Sequence, residues 1–445
     1  MNKRKSVLLL LSVFIIIAIS QISGAYLNSS KDLPAAKKIN GAALANVPPV
    51  ETAIRTFQER LKQNPNDPVT FTLLANQYIR QARETSDVSG YQRAEDALKE
   101  ALTLLPNYSL ANTTLASVHY ARHEFMSALE LAQAEYDRNP KNTQALVIIA
   151  DSHLSLGNYQ QAETIYLQLS DMGATPPVLA RLAALEELKG NPEEGLALMR
   201  RAAGDALQSG GTKESVAWYI LRVADMYFNM GQYEQAGDYY EAALRVFDNY
   251  PLALAGLGKV NATQGKYDEA IAYYQRAVDI VPQPEYLAAL GDLYAITGQP
   301  DKAQIQYETV EYIGKLAELN KQVYNRTLAN FYSDHDIHQE EALRLALAEL
   351  EWRRDVYGYD AAAWANYKNG NFEEAQTLMT QALSLGTRDA SLYYHAGMIA
   401  LALEDKAHAA EFLEMALSIN PQFSILQARK ARETLQALQQ TAATN

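Results

Sequence analysis

Cysteine is absent from this chain of 445 residues. That excludes disulfide frameworks, thiolate zinc sites, iron–sulfur clusters, covalently attached c-type haem, a thiol nucleophile and an amino-terminal lipid-modified Cys. Basic residues are in deficit, with 39 Lys plus Arg against 52 Asp plus Glu and a formal charge of −13. Such a surface repels phosphates, so counterion release provides no drive toward nucleic acid. A Gly-rich phosphate loop, a Gly-x-Ser-x-Gly elbow and a His-Glu-x-x-His helix are also missing. Residues 7–19 are apolar apart from Ser12. As a helix they rise only about 20 Å, short of the roughly 30 Å of bilayer hydrocarbon.

What is present begins with a basic leader. Lys3, Arg4 and Lys5 precede the apolar stretch, and Ser23-Gly24-Ala25 follows it with small residues suited to a signal peptidase. Residues 1–25 are therefore expected to be a cleaved signal peptide, or else an uncleaved anchor. In both cases the basic end stays cytoplasmic and the body lies outside, in a bacterial periplasm, secreted, or held by a single-pass anchor. Residues 26–49 lack apolar periodicity and end in Val47-Pro48-Pro49, which predicts a flexible linker. Six basic residues against Asp32 make residues 1–50 net +5, so the rest of the chain carries −18.

From residue 50 the chain repeats itself. Leu156-Gly-Asn-Tyr-Gln-Gln-Ala162, Met230-Gly-Gln-Tyr-Glu-Gln-Ala236, Gln264-Gly-Lys-Tyr-Asp-Glu-Ala270 and Asn369-Gly-Asn-Phe-Glu-Glu-Ala375 are one motif, a Gly-containing turn entering a helix. Its closing small residue recurs at Ala94, Ala128, Ala162, Gly195, Ala236, Ala270, Ala303, Ala342, Ala375 and Ala409, mostly 33 or 34 residues apart. Twelve residues upstream sits a second small residue in most units: Ala116, Ala150, Ala183, Ala224, Gly258, Gly291, Ala363 and Gly397. Small residues on both members of a helix pair let their backbones approach. A single pair cannot bury its apolar stripe, so each unit must stack on the next. Pro106, Pro140, Pro282 and Pro421 end the second helix of their units.

This pattern resembles the tetratricopeptide repeat family over about residues 51–421, as ten helix pairs. The resemblance implies an all-α, right-handed superhelical solenoid of antiparallel pairs, roughly one superhelical turn or slightly more. Its concave groove, lined by the first helix of each pair, would bind a protein or peptide. The expected division is 50–204 for a lone helix and units 1–4, 205–211 for an insertion serving as a hinge, 212–421 for units 5–10, and 422–445 for a capping helix and tail. Further insertions fall around residues 83–90, lengthening the turn of unit 1, and near 312–320.

Repeats and caps occupy residues 50–440, leaving no room for a catalytic domain; no catalytic, metal or cofactor site is expected. His119 and His123 have chelating spacing, but His119 fills a slot that holds Tyr elsewhere and no third ligand is evident. Asp334 to His338 reads as a solvated loop. Projecting the first helices places Asn76, Trp218, Asp225, Phe228, Lys259, Asp292, Arg326, Asn330, Tyr357, Trp364, Tyr367 and Tyr394 on the groove. Trp218, Arg326 and Trp364 are the expected hot spots, because aromatics and Arg dominate interface free energy. A family clamp for a terminal carboxylate is unlike this chain: Arg326 and Asn330 match its first pair, but Ala361 stands where the next unit needs Asn. Protein or peptide binding is the leading reading, and the Tyr and Trp content keeps a polysaccharide in a cell-envelope assembly as the alternative.

Overall fold

The computed structural model describes residues 33–41, 44, 47–85, 87–319 and 325–444. The expected signal or anchor at residues 1–25 lies outside them, and among the described residues no helix is long and apolar enough to cross a membrane.

There are 22 α-helices and no strand among the described residues. A lone α1 (Val50–Gln63) leads into unit 1, α2 (Pro68–Thr85) and α3 (Ser89–Leu104). Units 2 and 3 are α4 (Ser109–Ala121) with α5 (Phe125–Arg138), and α6 (Thr143–Ser155) with α7 (Tyr159–Met172). Units 4 and 5 are α8 (Pro176–Leu188) with α9 (Pro192–Gln208), and α10 (Lys213–Asn229) with α11 (Tyr233–Val246). Units 6 and 7 are α12 (Pro251–Thr263) with α13 (Tyr267–Ile280), and α14 (Pro284–Ile296) with α15 (Pro300–Leu319). Units 8 to 10 are α16 (Asn325–Asp334) with α17 (Gln339–Leu350), α18 (Val356–Lys368) with α19 (Phe372–Ala382), and α20 (Ala390–Ala402) with α21 (Lys406–Ile419). Then comes α22 (Gln427–Thr444). Local chemistry sets the ends: Asn142, Thr212, Asp355, Asp389 and Asp405 cap helix starts with their side chains.

The small residue of each first helix makes room for the second helix. A Cβ on Gly258 would meet the Tyr274 ring at 2.6 Å, and one on Gly291 the Tyr307 ring at 2.4 Å. At most junctions the first helix of a unit also touches the first helix of the next, whereas second helices do not touch one another comparably. The first helices thus form the inner layer and the second helices the outer, and the shorter inner spacing curves the stack.

That curvature is tight enough for the solenoid to meet itself. All turns within pairs lie on one edge of the ribbon, and all junctions between pairs on the other. The turn of unit 3 meets the junction after unit 8, where Val356 N donates to Tyr159 Oη at 2.8 Å. The turn of unit 4 meets the junction after unit 9, with Thr387 Oγ1 donating to Leu188 O. The turn of unit 5 meets the chain after unit 10, with Asn420 Nδ2 donating to Phe228 O at 2.8 Å. One turn therefore closes between five and six units, and ten units make nearly two turns rather than about one. Turn glycines permit the approach: Gly157 and Gly190 have φ of +80° and +79°, and a Cβ on them would sit 2.3 Å from Arg354 O and 2.2 Å from Gly386 O.

The insertions prolong helices instead of loosening loops. Residues 205–208 of the expected hinge at 205–211 continue α9, with Ala206 buried, and only Ser209 to Gly211 lie outside a helix. The insertion of unit 1 extends α2 to Thr85, and that near 312 extends α15 to Leu319. The first two meet in space, since Arg83 pairs with Glu214 at 3.5 Å just beyond the second insertion. Residues 33–41, expected within a flexible linker, are seated on the solenoid: Leu33, Ala36 and Ile39 are buried.

Candidate partner-binding cavity

A cavity of about 560 Å³ opens on the inner layer of units 5–8. Five residues expected on the groove line it: Phe228, Lys259, Asp292, Arg326 and Asn330. Lys259 is exposed, with its ammonium 5.8 Å from the Phe228 ring centroid. Asn330 Oδ1 has no hydrogen-bond partner among the described residues. The far wall is the segment between α21 and α22, Gln422 to Leu426. It is held by Tyr233, whose hydroxyl donates to Asn420 Oδ1 at 2.5 Å and accepts from Gln422 N at 3.0 Å. The helical pattern shows where α22 begins but not that its leading loop lies across the first helices of distant units.

Several expected contact residues are instead committed internally. Asp225 accepts from Tyr240 Oη at 2.6 Å and from Arg222 Nη1 at 2.8 Å. Asp292 accepts from Tyr307 Oη at 2.8 Å and pairs with His335 Nε2 at 2.8 Å. Asp151 repeats the arrangement, accepting from Tyr166 Oη at 2.8 Å and from Arg181 at 2.7 and 2.6 Å. An Asp just after the small residue of the first helix and a Tyr fifteen residues later are therefore one buried polar unit, in units 3, 5 and 7. Its recurrence in the sequence is the signal that Asp225 and Asp292 are internal partners, because a buried phenol must find an acceptor.

Trp364, an expected hot spot, is 2% exposed. Its ring stacks on Tyr367 and His395 at 4.8 and 4.1 Å, and Nε1 donates to Asp334 Oδ1 at 2.8 Å. Tyr394 and Phe228 are also buried. Trp218 is half-buried, edge-on to Tyr219 at 5.0 Å. Trp364, Tyr367 and Tyr394 border a second cavity of about 600 Å³ with Lys368 and Lys430. Arg326 is half-buried and its Nη1 lies 3.5 Å from Asp355 Oδ1, beside the junction of units 8 and 9. Burial, with the Arg353 guanidinium adding to it, lowers its pKa. Tyr357 is half-buried, and burial raises its phenol well above the ordinary value. Asn76 is half-buried in unit 1, donating to Thr72 O at 3.1 Å.

The turn from Asp334 to His338 is solvated only in part: Asp336 and His338 are exposed, whereas Asp334 and His335 are drawn into the packing. Burial raises the Asp334 carboxyl, partly offset by His395 and by the Trp364 bond. Gln427 Nε2 at the start of α22 donates to Asp334 Oδ1 at 2.6 Å, and His395 Nδ1 pairs with Asp360 Oδ1 at 2.7 Å. This network ties units 8, 9 and 10 to α22. His119 pairs with Glu124 at 2.7 Å, while His123 takes the left-handed turn position with φ +64°. No group of three or more His, Cys, Asp or Glu residues able to hold a metal occurs among the described residues.

Tetratricopeptide repeat profiles match residues 215–283 and 361–422, and a profile of anaphase-promoting complex, cyclosome, subunit 3 matches residues 87–169. The chain is a tetratricopeptide repeat protein. Among curated relatives, the Protein CTR9 homolog of Arabidopsis thaliana is 32% identical over 120 residues, covering 26% of this chain and 10% of that one. The BBSome complex member BBS4 of Bos taurus is 25% identical over 211 residues, covering 45% and 38%. The repeat protein thus spans well under half the length of either relative. Among solved structures, yeast Tom70 is 14% identical with a TM-score of 0.38, covering 88% of this chain and 93% of that chain.

Proposed function

We propose that the chain is a non-catalytic scaffold, exported across or anchored at a membrane, that binds a protein or peptide in the inner cavity of units 5–8. The observation that carries this reading is a cavity on the inner layer lined by residues of four successive units, into which the exposed Lys259 brings a cation, while Asn330 Oδ1 on the same lining is buried without a hydrogen-bond donor. An exposed cation on a concave apolar-lined wall suits a ligand that supplies a negative charge. One relative is by its name a member of a multiprotein complex, in keeping with a scaffold. The basic leader and the absence of cysteine support the extracytoplasmic placement. The polysaccharide alternative is weakened because Trp364, one of the two inward tryptophans that motivate it, is packed inside, while Trp218 is half-buried.

A photo-crosslinking residue at Thr263, on the cavity wall, tests the reading in cells that make the protein. One predominant protein adduct is expected, strongly reduced by Lys259→Glu and unchanged by Lys62→Glu on remote α1. Adducts indifferent to Lys259→Glu count against the cavity as the binding site. Amino-terminal sequencing of the fractionated protein separates a cleaved signal from an intact anchor, and a full-length cytosolic body would discard export.

A further inference from the structure

Outside the inner cavity, the structure holds a segment seated on the outer layer. Residues 33–41 cross the second helices of units 4 and 5, with Leu33 and Ile39 each 2% exposed and Ala36 5%. These side chains belong to the same apolar cluster as Tyr239 and Val246 of α11. The main chain is held as well: Arg200 of α9 donates to Leu33 O at 3.1 Å, and Arg245 of α11 donates to Ala36 O at 2.8 Å. Arg200 also donates to Tyr239 Oη at 2.7 Å, so its guanidinium is already positioned by the solenoid. Between the buried residues the segment makes a single 3₁₀ turn, Ala36–Lys38, which places Ala36 and Ile39 on one side. Lys37 and Lys38 point outward, Lys37 toward Asp238 at 3.9 Å. Gly41 lies close against α11, where a Cβ would be 3.2 Å from Val246 O, and Leu44 beyond it is buried in the same apolar cluster.

We propose that the outer face of α9 and α11 is a second ligand site, separate from the inner cavity, that takes a short apolar segment of the form Leu-x-x-Ala-x-x-Ile and is filled by the chain's own residues 33–41. Three features mark it as a site and not a chance contact. Apolar side chains enter at a regular spacing of three, two arginines on different helices bind main-chain carbonyls three residues apart, and the residues between, Pro34, Ala35, Lys37 and Lys38, are exposed. Carbonyl recognition reads shape rather than side-chain identity. A tethered occupant also holds the site at an effective concentration far above that of a free competitor, so the site is closed to weak ligands until the segment is released.

The test uses the full chain and a fluorescein-labelled synthetic peptide of residues 33–44. The variant is Leu33→Asp with Ile39→Asp, which alters the occupant and leaves the solenoid untouched. In the unaltered protein, amides of residues 33–41 are expected to exchange at least about tenfold more slowly than in the free peptide. By anisotropy, the variant should bind the peptide at least about tenfold more tightly than the unaltered protein does, because its site has been vacated. Adding Arg245→Ala to the variant should weaken that binding. Free-peptide exchange rates in the unaltered protein overturn the proposal, as does equal peptide binding, or none, by both proteins. A protected segment in a dimer that the variant converts to monomer, judged by light scattering, overturns occupancy within one chain in favour of a second copy.

Discussion

Replacing Gly190 by Ala tests whether the two superhelical turns hold each other. Gly190 has φ +79°, and a Cβ there would lie 2.2 Å from Gly386 O and 3.1 Å from Gly386 C, both backbone atoms of the next turn. Gly265 occupies the same slot in unit 6, with φ +71°, yet nothing lies within 4 Å of its Cβ position. Both substitutions carry the left-handed penalty of an L-residue, about 1–2 kcal/mol. Only Gly190→Ala must also push apart packed backbone, which adds about 1–3 kcal/mol of overpacking. The seam bonds beside it, Thr387 to Leu188 and the 3.9 Å pair of Arg388 with Glu193, would be strained or lost. Urea unfolding followed by far-UV circular dichroism should therefore show a clearly larger midpoint shift for Gly190→Ala than for Gly265→Ala. Small-angle scattering should show a larger radius of gyration for the former alone. In a solenoid stabilised only by nearest neighbours the two variants would behave alike. Equal midpoints with unchanged scattering would refute the seam.

Three further outcomes follow from the packing. Trp364→Ala should cost about 3–5 kcal/mol in urea unfolding, as a large buried ring leaves a cavity; an unchanged midpoint would contradict its burial. Asp151→Ala strands the Arg181 guanidinium and the Tyr166 phenol between helices, a loss of about 3 kcal/mol, whereas exposed Asp96→Ala should shift the midpoint little. Burial opposes charging of His335 and His395, but the bond and charge of Asp292 and of Asp360 outweigh it and hold both imidazoles above the ordinary 6.5. The folded state then keeps these protons more tightly than the unfolded chain does, so their contribution is complete below about pH 6.5 and is lost as pH rises through the raised values. The fall in the urea midpoint from about pH 6 to about pH 9 should shrink in a His335→Gln, His395→Gln double variant; a slope unaffected by the double variant would show that other groups cause it.

Repeat geometry was legible because it is local. The 33- and 34-residue spacing, the paired small slots and the Gly turns act within one pair and its neighbour, and the helices form where that pattern puts them. The lining of the cavity by Phe228, Lys259, Asp292, Arg326 and Asn330 was legible for the same reason, since the inner face follows from helical phase. Phase says which way a side chain points, not what meets it. Trp364 points inward and is covered by His395 of the next unit, and Asp225 points inward and is taken by Tyr240. The insertion of unit 1 was read as a longer turn because a count of extra residues does not distinguish a longer turn from a longer helix; the helical course of α2 does.

By itself the sequence determined the class of fold, the ten pairs, the inner face and the lack of any recognisable catalytic or metal motif, all of which rest on interactions between residues less than one or two repeats apart. Tertiary structure alone decided the rest. Contacts such as Val356 with Tyr159 and Asn420 with Phe228 span 197 and 192 residues, and they depend on small crossing angles accumulated over more than five units. No single repeat encodes that sum. The same accumulation brings the segment before α22 across the cavity, so the shape of that cavity is set by the curvature of the whole stack.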